Sequence, residues 1–143
     1  MNQMQKRAMA YMNAINQMIE KTQEVQEHLN PLFEEITQAI EKKTLKDMQS
    51  AKYLEIQGEF QEGTNEYKKI AKNMKTVKAP AKLMGIQHNL TAAYVEYGDA
   101  CQAMVDSMKD NRDVDLEAFN AAEERQEAAT DKISKYIQRI AQG

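Results

Sequence analysis

Tryptophan is missing from this chain, cysteine occurs once, proline twice and glycine five times in 143 residues. Each shortage excludes something. The lone Cys101 cannot form an internal disulfide, so packing must hold the fold together, and either a reducing or an oxidising compartment is permitted. So little Gly and Pro leaves little material for turns, which implies few, long elements. No apolar run reaches the roughly 20 residues that cross a bilayer. Residues 1–20 carry Lys6, Arg7, Asn13, Asn16 and Gln17 where a secretory signal needs an apolar stretch. A complete chain would therefore be cytoplasmic, whereas one trimmed of a signal or anchor would belong to the extracellular surface. Charge of one sign is also scarce: nineteen basic against twenty-two acidic residues give a net −3, too little to draw nucleic acid or membrane by bulk electrostatics.

What the chain does contain is apolar periodicity. At this length a single domain buries roughly two-thirds of its unfolded surface. Near the N-terminus a stripe runs Met4, Ala8, Tyr11, Ile15, Met18, Thr22, Val25, Leu29, Leu32, Ile36 and Ala39 or Ile40. Steps of three and four residues mark the buried seam of a helix. The seam continues through Asn30-Pro31, where proline deletes a backbone donor and crowds the preceding turn. Either one long helix bends near Pro31, or Asn30 caps a second helix that Pro31 begins. The unbroken register favours the single helix.

Further stripes run Leu45, Met48, Tyr53, Ile56, Phe60, Gly63, Tyr67, Ile70, Met74 and Val77; then Leu83, Ile86, Leu90, Ala93 or Tyr94, Tyr97, Cys101, Met104 and Met108; then Leu116, Phe119, Ala122, Gln126, Ala129, Ile133, Tyr136 or Ile137, and Ile140. Gly58 and Gly63 read as weak points costing about 1 kcal/mol each relative to Ala. Ala79-Pro80 separates the second and third helices, and Asp113 or Asp115 caps the fourth. The expected fold is all-α, an antiparallel four-helix bundle in one domain, with helices at about 3–42, 45–77, 80–109 and 114–141.

Constellations that carry chemistry are scarce. A di-metal bundle needs a Glu-x-x-His pair on each of two helices, but Val25 and Gly85 stand three residues before His28 and His88. Glu24 and His28 offer two surface ligands at most, and no Cys/His cluster suits zinc. Asp113, Asp115, Glu117 and Glu124 imitate a calcium loop, yet Ala118 occupies the position that requires glycine, so helix capping is the better reading. Cys101 lies on an apolar stripe thirteen residues from His88, about 20 Å along one helix, and reads as a buried small hydrophobe. No phosphate loop or nucleophile elbow occurs. These readings imply no enzyme, cofactor or metal.

Two surface features remain. Lys68, Lys69, Lys72, Lys75, Lys78 and Lys82 form a stretch without an acid, suited to an acidic partner or to the C-terminal dipole of its helix. Without interleaved aromatics it disfavours nucleic acid. Of ten methionines, Met1, Met9, Met12 and Met84 lie off the stripes, and Met-rich surfaces adapt to partners. The candidate interaction surface is thus Met9, Met12, Lys68, Lys69, Lys72 and Lys75.

From Val77 to Ile140 the order Ala79-Pro80, His88, Leu90, Ala93, Tyr94, Tyr97, a polar break at Asp110–Asp115 and a final Ala- and Glu-rich helix resembles helical domains of uncharacterised surface lipoproteins of Gram-positive bacteria. The resemblance implies a bundle and assigns no activity. The chain carries no lipidation cysteine near Met1. It also departs from the small helical partners of type VII secretion, since Trp is absent and no Tyr is followed four residues later by Asp or Glu. The leading expectation is a non-catalytic binding or adaptor module of a Gram-positive bacterium or its phage, acting on a protein partner or by self-association. The alternative is a small-molecule or lipid binder with a cavity among Tyr94, Tyr97 and Met104.

Overall fold

A computed structural model describes residues 2–143 and contains four long helices: α1 (Gln3–Glu41), α2 (Ser50–Met74), α3 (Met84–Ser107) and α4 (Leu116–Gln142). Met1, one of the four off-stripe methionines, lies outside the described residues. Asn2 starts α1 through a capping box, its side chain accepting from the Gln5 backbone 2.8 Å away while Gln5 accepts from the Asn2 backbone. At 39 residues α1 is about 58 Å long. It passes through Pro31 without a break, as the unbroken register favoured. Pro31 and Glu27, whose carbonyl it leaves without a helical donor, both face solvent, where water can bond that carbonyl.

Neighbouring helices run antiparallel. His28 meets Glu59 and Lys52 meets Glu35 between α1 and α2; Gln61 bonds Gln102 between α2 and α3; Lys132 meets Glu96 between α3 and α4. The stripes become two apolar clusters. One gathers Tyr11, Ile15, Met18, Tyr67, Ile70, Leu90, Tyr94 and Ile140, the other Ile36, Tyr53, Ile56, Phe60, Met104, Val114 and Phe119.

The ends of the elements differ from the sequence reading. Met4 and Ala8 are exposed, because α1 outreaches its neighbours and its first buried residue is Tyr11. Leu45–Asp47 forms a separate 3-10 turn, so α2 begins at Ser50 and ends at Met74 rather than near 77. Pro80 adopts extended geometry ahead of another 3-10 turn, Ala81–Leu83, and α3 starts only at Met84. Leu116, placed on the last stripe, is exposed, one residue past the Asp115 cap that accepts from the Ala118 backbone.

The polar break is not a plain loop. β1 (Met108–Lys109) and β2 (Asp113–Val114) pair antiparallel, with Asn111 and Arg112 left-handed at φ 63° and 59°. For Arg112 that conformation costs about 1–3 kcal/mol. Its guanidinium compensates by donating to the carbonyls of Lys46 and Met48 at 2.8 and 2.9 Å. Tyr53 adds bonds from its hydroxyl to the carbonyls of Lys109 and Asp113. The hairpin is thereby tied to the α1–α2 connection.

The two α2 glycines turn out to differ. A methyl at Gly63 would stand 2.5 Å from Leu29 Cδ1 and 3.2 Å from Val25 Cγ1 of α1, whereas at Gly58 it would meet nothing within 4 Å. Gly58→Ala is expected to stabilise the fold by about 0.5–1 kcal/mol. Gly63→Ala gains the same propensity but must displace the Leu29 and Val25 methyls of α1, so it is expected to stabilise less than Gly58→Ala. Urea denaturation of the two variants checks the order.

Candidate functional site

Burial is uneven around the bundle. α3 packs closely on α4, helped by buried Ala93, Ala100, Ala122 and Ala129, and α2 packs on α3 and α1. α1 and α4 make little close backbone contact. Towards the hairpin, Phe33 and Phe119 bridge them with rings stacked at 6.2 Å. Towards the other end, the Tyr11, Ile15 and Ile140 cluster fills the space.

Between these closures lies a cleft of about 530 Å³ that reaches all four helices. α1 contributes Gln26, Leu29, Asn30 and Phe33; α2 contributes Phe60, Thr64 and Tyr67; α3 contributes Tyr97, Cys101 and Met104. α4 supplies Glu123, Gln126, Glu127, Thr130 and Asp131. The volume suits a small organic ligand.

The floor is largely aromatic, and most polar lining residues come from α1 and α4. Tyr67 and Tyr97 meet edge to face at 5.0 Å, and Cys101 lies beside them on the same lining. Burial pushes both phenols well above their ordinary ionisation range. The Cys101 thiol is pushed up to about 12 by burial, against a lowering contribution from Tyr97, so it stays protonated at neutral pH. Gln126 reaches from α4 to the Met104 sulfur at 3.6 Å.

Tyr97 and Met104 both line the cleft. Tyr94 does not join them: it sits behind Tyr97, and its hydroxyl pairs with Thr22. The other expected surface residues do not gather around one feature. Met9 is exposed, but Met12 is half-buried against the core cluster around Tyr11. Lys68 donates to Gln102, Lys69 pairs with Glu66, Lys72 is exposed on α2, and Lys75 is exposed at its C-cap. His28 is taken by Glu59 at 2.8 Å, so it is not held as a ligand partner of Glu24.

Gln26, Asn30, Thr64, Tyr67, Glu123, Glu127 and Asp131 escaped the sequence reading as site residues. One signal was available. Gln126 occupies a stripe position where an apolar residue is expected, and a polar group on a buried stripe marks either a satisfied network or a lined cavity.

A second depression, of about 800 Å³, lies where α2 ends and α3 begins, with Arg7, Lys75, Lys78 and His88 around Val77, Met84 and Val95. It does not reach the Tyr67–Tyr97 floor. Among the described residues, no group of three His, Cys, Asp or Glu side chains converges as metal ligands. No helix among the described residues is long and apolar enough to cross a membrane.

The buried tyrosines make an alkaline prediction. Burial raises Tyr11 and Tyr53 from 10.0 to about 12, and Tyr67, Tyr94 and Tyr97 also upward. A phenol whose folded value is raised favours the neutral form in the native state. Its stabilisation is therefore complete below the unfolded value and lost as pH climbs through the folded one. Thermal melts should hold steady below pH 10 and fall steeply between 10 and about 12. Phenolate absorbance of these tyrosines should appear together with loss of helical circular dichroism.

Comparison with known proteins adds nothing to the geometry: no family model, curated protein or solved structure matches the chain.

Proposed function

We propose that this chain is a non-catalytic binding protein whose site is the cleft between α1 and α4. The observation that carries the reading is a pocket of about 530 Å³ entering the core between helices that otherwise barely touch, floored by Tyr67, Tyr97, Cys101 and Met104. Bundles place ligand sites between facing helices, and an aromatic floor with a few polar groups suits an apolar body with one oriented polar end. Cys101 does not supply a nucleophile, because its thiol stays protonated and no histidine lines the cleft.

Thermal shift tests the reading with small aromatic compounds on the intact chain and on Thr130→Trp. Thr130 is exposed and lines the cleft, so the indole fills the opening without entering the core. A ligand at about a hundred times its Kd adds about 2.7 kcal/mol to folding. That shift is expected for the parent chain and not for Thr130→Trp. Equal shifts in both proteins, or none in either across the compounds, would contradict the cleft as the site.

A protein partner is the second reading, favoured by the exposed Met9, Met84 and Met4 at the end where α1 and α3 both begin. Adaptable apolar side chains beside Arg7, Lys75 and Lys78 suit an acidic partner surface or self-association. Light scattering of the parent and of a Met9→Glu/Met84→Glu variant checks it. Association lost in the variant supports it, and a concentration-independent monomer removes the self-association form.

A further inference from the structure

Three carboxylates, Glu123, Glu127 and Asp131, follow one another at intervals of four residues along α4, and all three line the cleft. The ion pairs of the surface use other acids: Glu59, Glu35, Glu55, Glu66 and Glu96 meet His28, Lys52, Lys69 and Lys132. Among the described residues, none of the three cleft carboxylates has a basic partner, and no Lys, Arg or His lines the cleft.

Like charges four residues apart on a helix repel and lower its stability. This row therefore carries a cost with no return inside the folded chain. Across the cleft from it stand the aromatic side chains Phe60, Tyr67 and Tyr97 of α2 and α3, with Phe33 and the neutral amides Gln26 and Asn30 on α1. An aromatic ring face attracts a cation, most strongly where water is partly excluded. A cavity with an aromatic floor, three unpaired carboxylates and no cation is complementary to one chemistry.

We propose, building on the cleft as the binding site, that its ligand is a small organic cation: an ammonium or amidinium group on an apolar, aromatic or branched aliphatic body. A bare divalent metal fits less well. The carboxylates are strung along more than two helical turns, and no three acidic, His or Cys groups converge. Diffuse organic charge on an apolar body uses both the row and the rings across the cleft from it.

Calorimetry on the full chain at low ionic strength provides the test, with three probes of similar shape: phenyltrimethylammonium, its uncharged carbon isostere tert-butylbenzene, and benzoate. Phenyltrimethylammonium should bind at least about tenfold more tightly than tert-butylbenzene, with benzoate weakest. In a Glu123→Gln/Glu127→Gln/Asp131→Asn variant that preference should vanish while tert-butylbenzene binding persists. The variant's Tm should rise slightly as the repulsion is relieved. A control with the same net charge, Glu41→Gln/Glu117→Gln/Asp47→Asn, should keep the preference.

Three outcomes overturn the proposal. If both uncharged and cationic probes bind equally, the cleft remains a binding site and cation selectivity is wrong. A preference that does not track the row also overturns it: one that survives the cleft substitutions lies with other groups, and one that disappears equally in the control lies with overall charge. If no probe binds the parent chain at all, cation selectivity and the cleft reading fail together.

Discussion

Leu90→Ala is expected to cost about 3–4 kcal/mol of folding free energy, a large fraction of the stability of a small domain. Leu90 is fully buried in the cluster with Tyr11, Ile15, Tyr94 and Ile140. Its neighbours come from helices held by their other contacts, so the space it leaves closes only in part. The informative comparison is Leu116→Ala. Both leucines fall on apolar stripes, but Leu116 is 47% exposed and its truncation should cost at most about 0.5 kcal/mol. Urea denaturation of the pair separates positions that are merely periodic from those that are packed. Equal losses would mean that Leu116 meets a partner the fold does not give it.

Pro31→Ala is expected to act in the opposite direction, raising stability by about 2 kcal/mol. Proline within a helix costs about 3 kcal/mol through the missing donor and the ring's clash with the carbonyl four residues back. Part of that is offset because proline also restricts the unfolded chain, worth about 0.4–1 kcal/mol that the alanine variant forgoes. The remaining penalty exceeds the offset, since α1 continues through Pro31 and an alanine N–H there can donate to Glu27. Pro31 also follows Asn30 and lies two residues before Phe33, both lining the cleft. A chain that tolerates this penalty beside its candidate site fits a stability cost retained for function. Thermal and urea melts give the sign directly, and a destabilised Pro31→Ala would mean that the proline's geometry is required for packing.

The four helices were legible because their stripes hold a three-four rhythm over long spans, and a buried Tyr11, Ile36, Ile56 or Leu90 leaves the same mark whichever neighbour covers it. Ends were less so. Periodicity at Met4 and Ala8 is real, but burial also needs a facing helix, and α2 and α3 do not extend that far. The hairpin at Met108–Val114 was invisible because two-residue strands carry no alternation, and its turn depends on Arg112 adopting a left-handed conformation held by distant carbonyls.

The cleft was legible only in fragments. Tyr97 and Met104 stood out as stripe residues, and Gln126 as a polar intruder on one. That α1 and α4 stand apart is a property of four helices of unequal length packing at once. Small residues draw α3 and α4 together at Ala93, Ala100, Ala122 and Ala129, while Phe33 against Phe119 props the opposite seam. The carboxylates at 123, 127 and 131 carry no mark in the sequence that separates them from the other acids of α4; only the cavity beside them does.

The most direct measurement is a nitrogen-15 chemical-shift map of the chain titrated with tert-butylbenzene, which carries no charge to bias where it goes. A cleft between α1 and α4 predicts perturbed amides on all four helices at once, around Asn30, Thr64, Cys101 and Gln126. Perturbations confined to the Arg7, Lys78 and His88 end, or a spectrum unchanged at saturating compound, would contradict it.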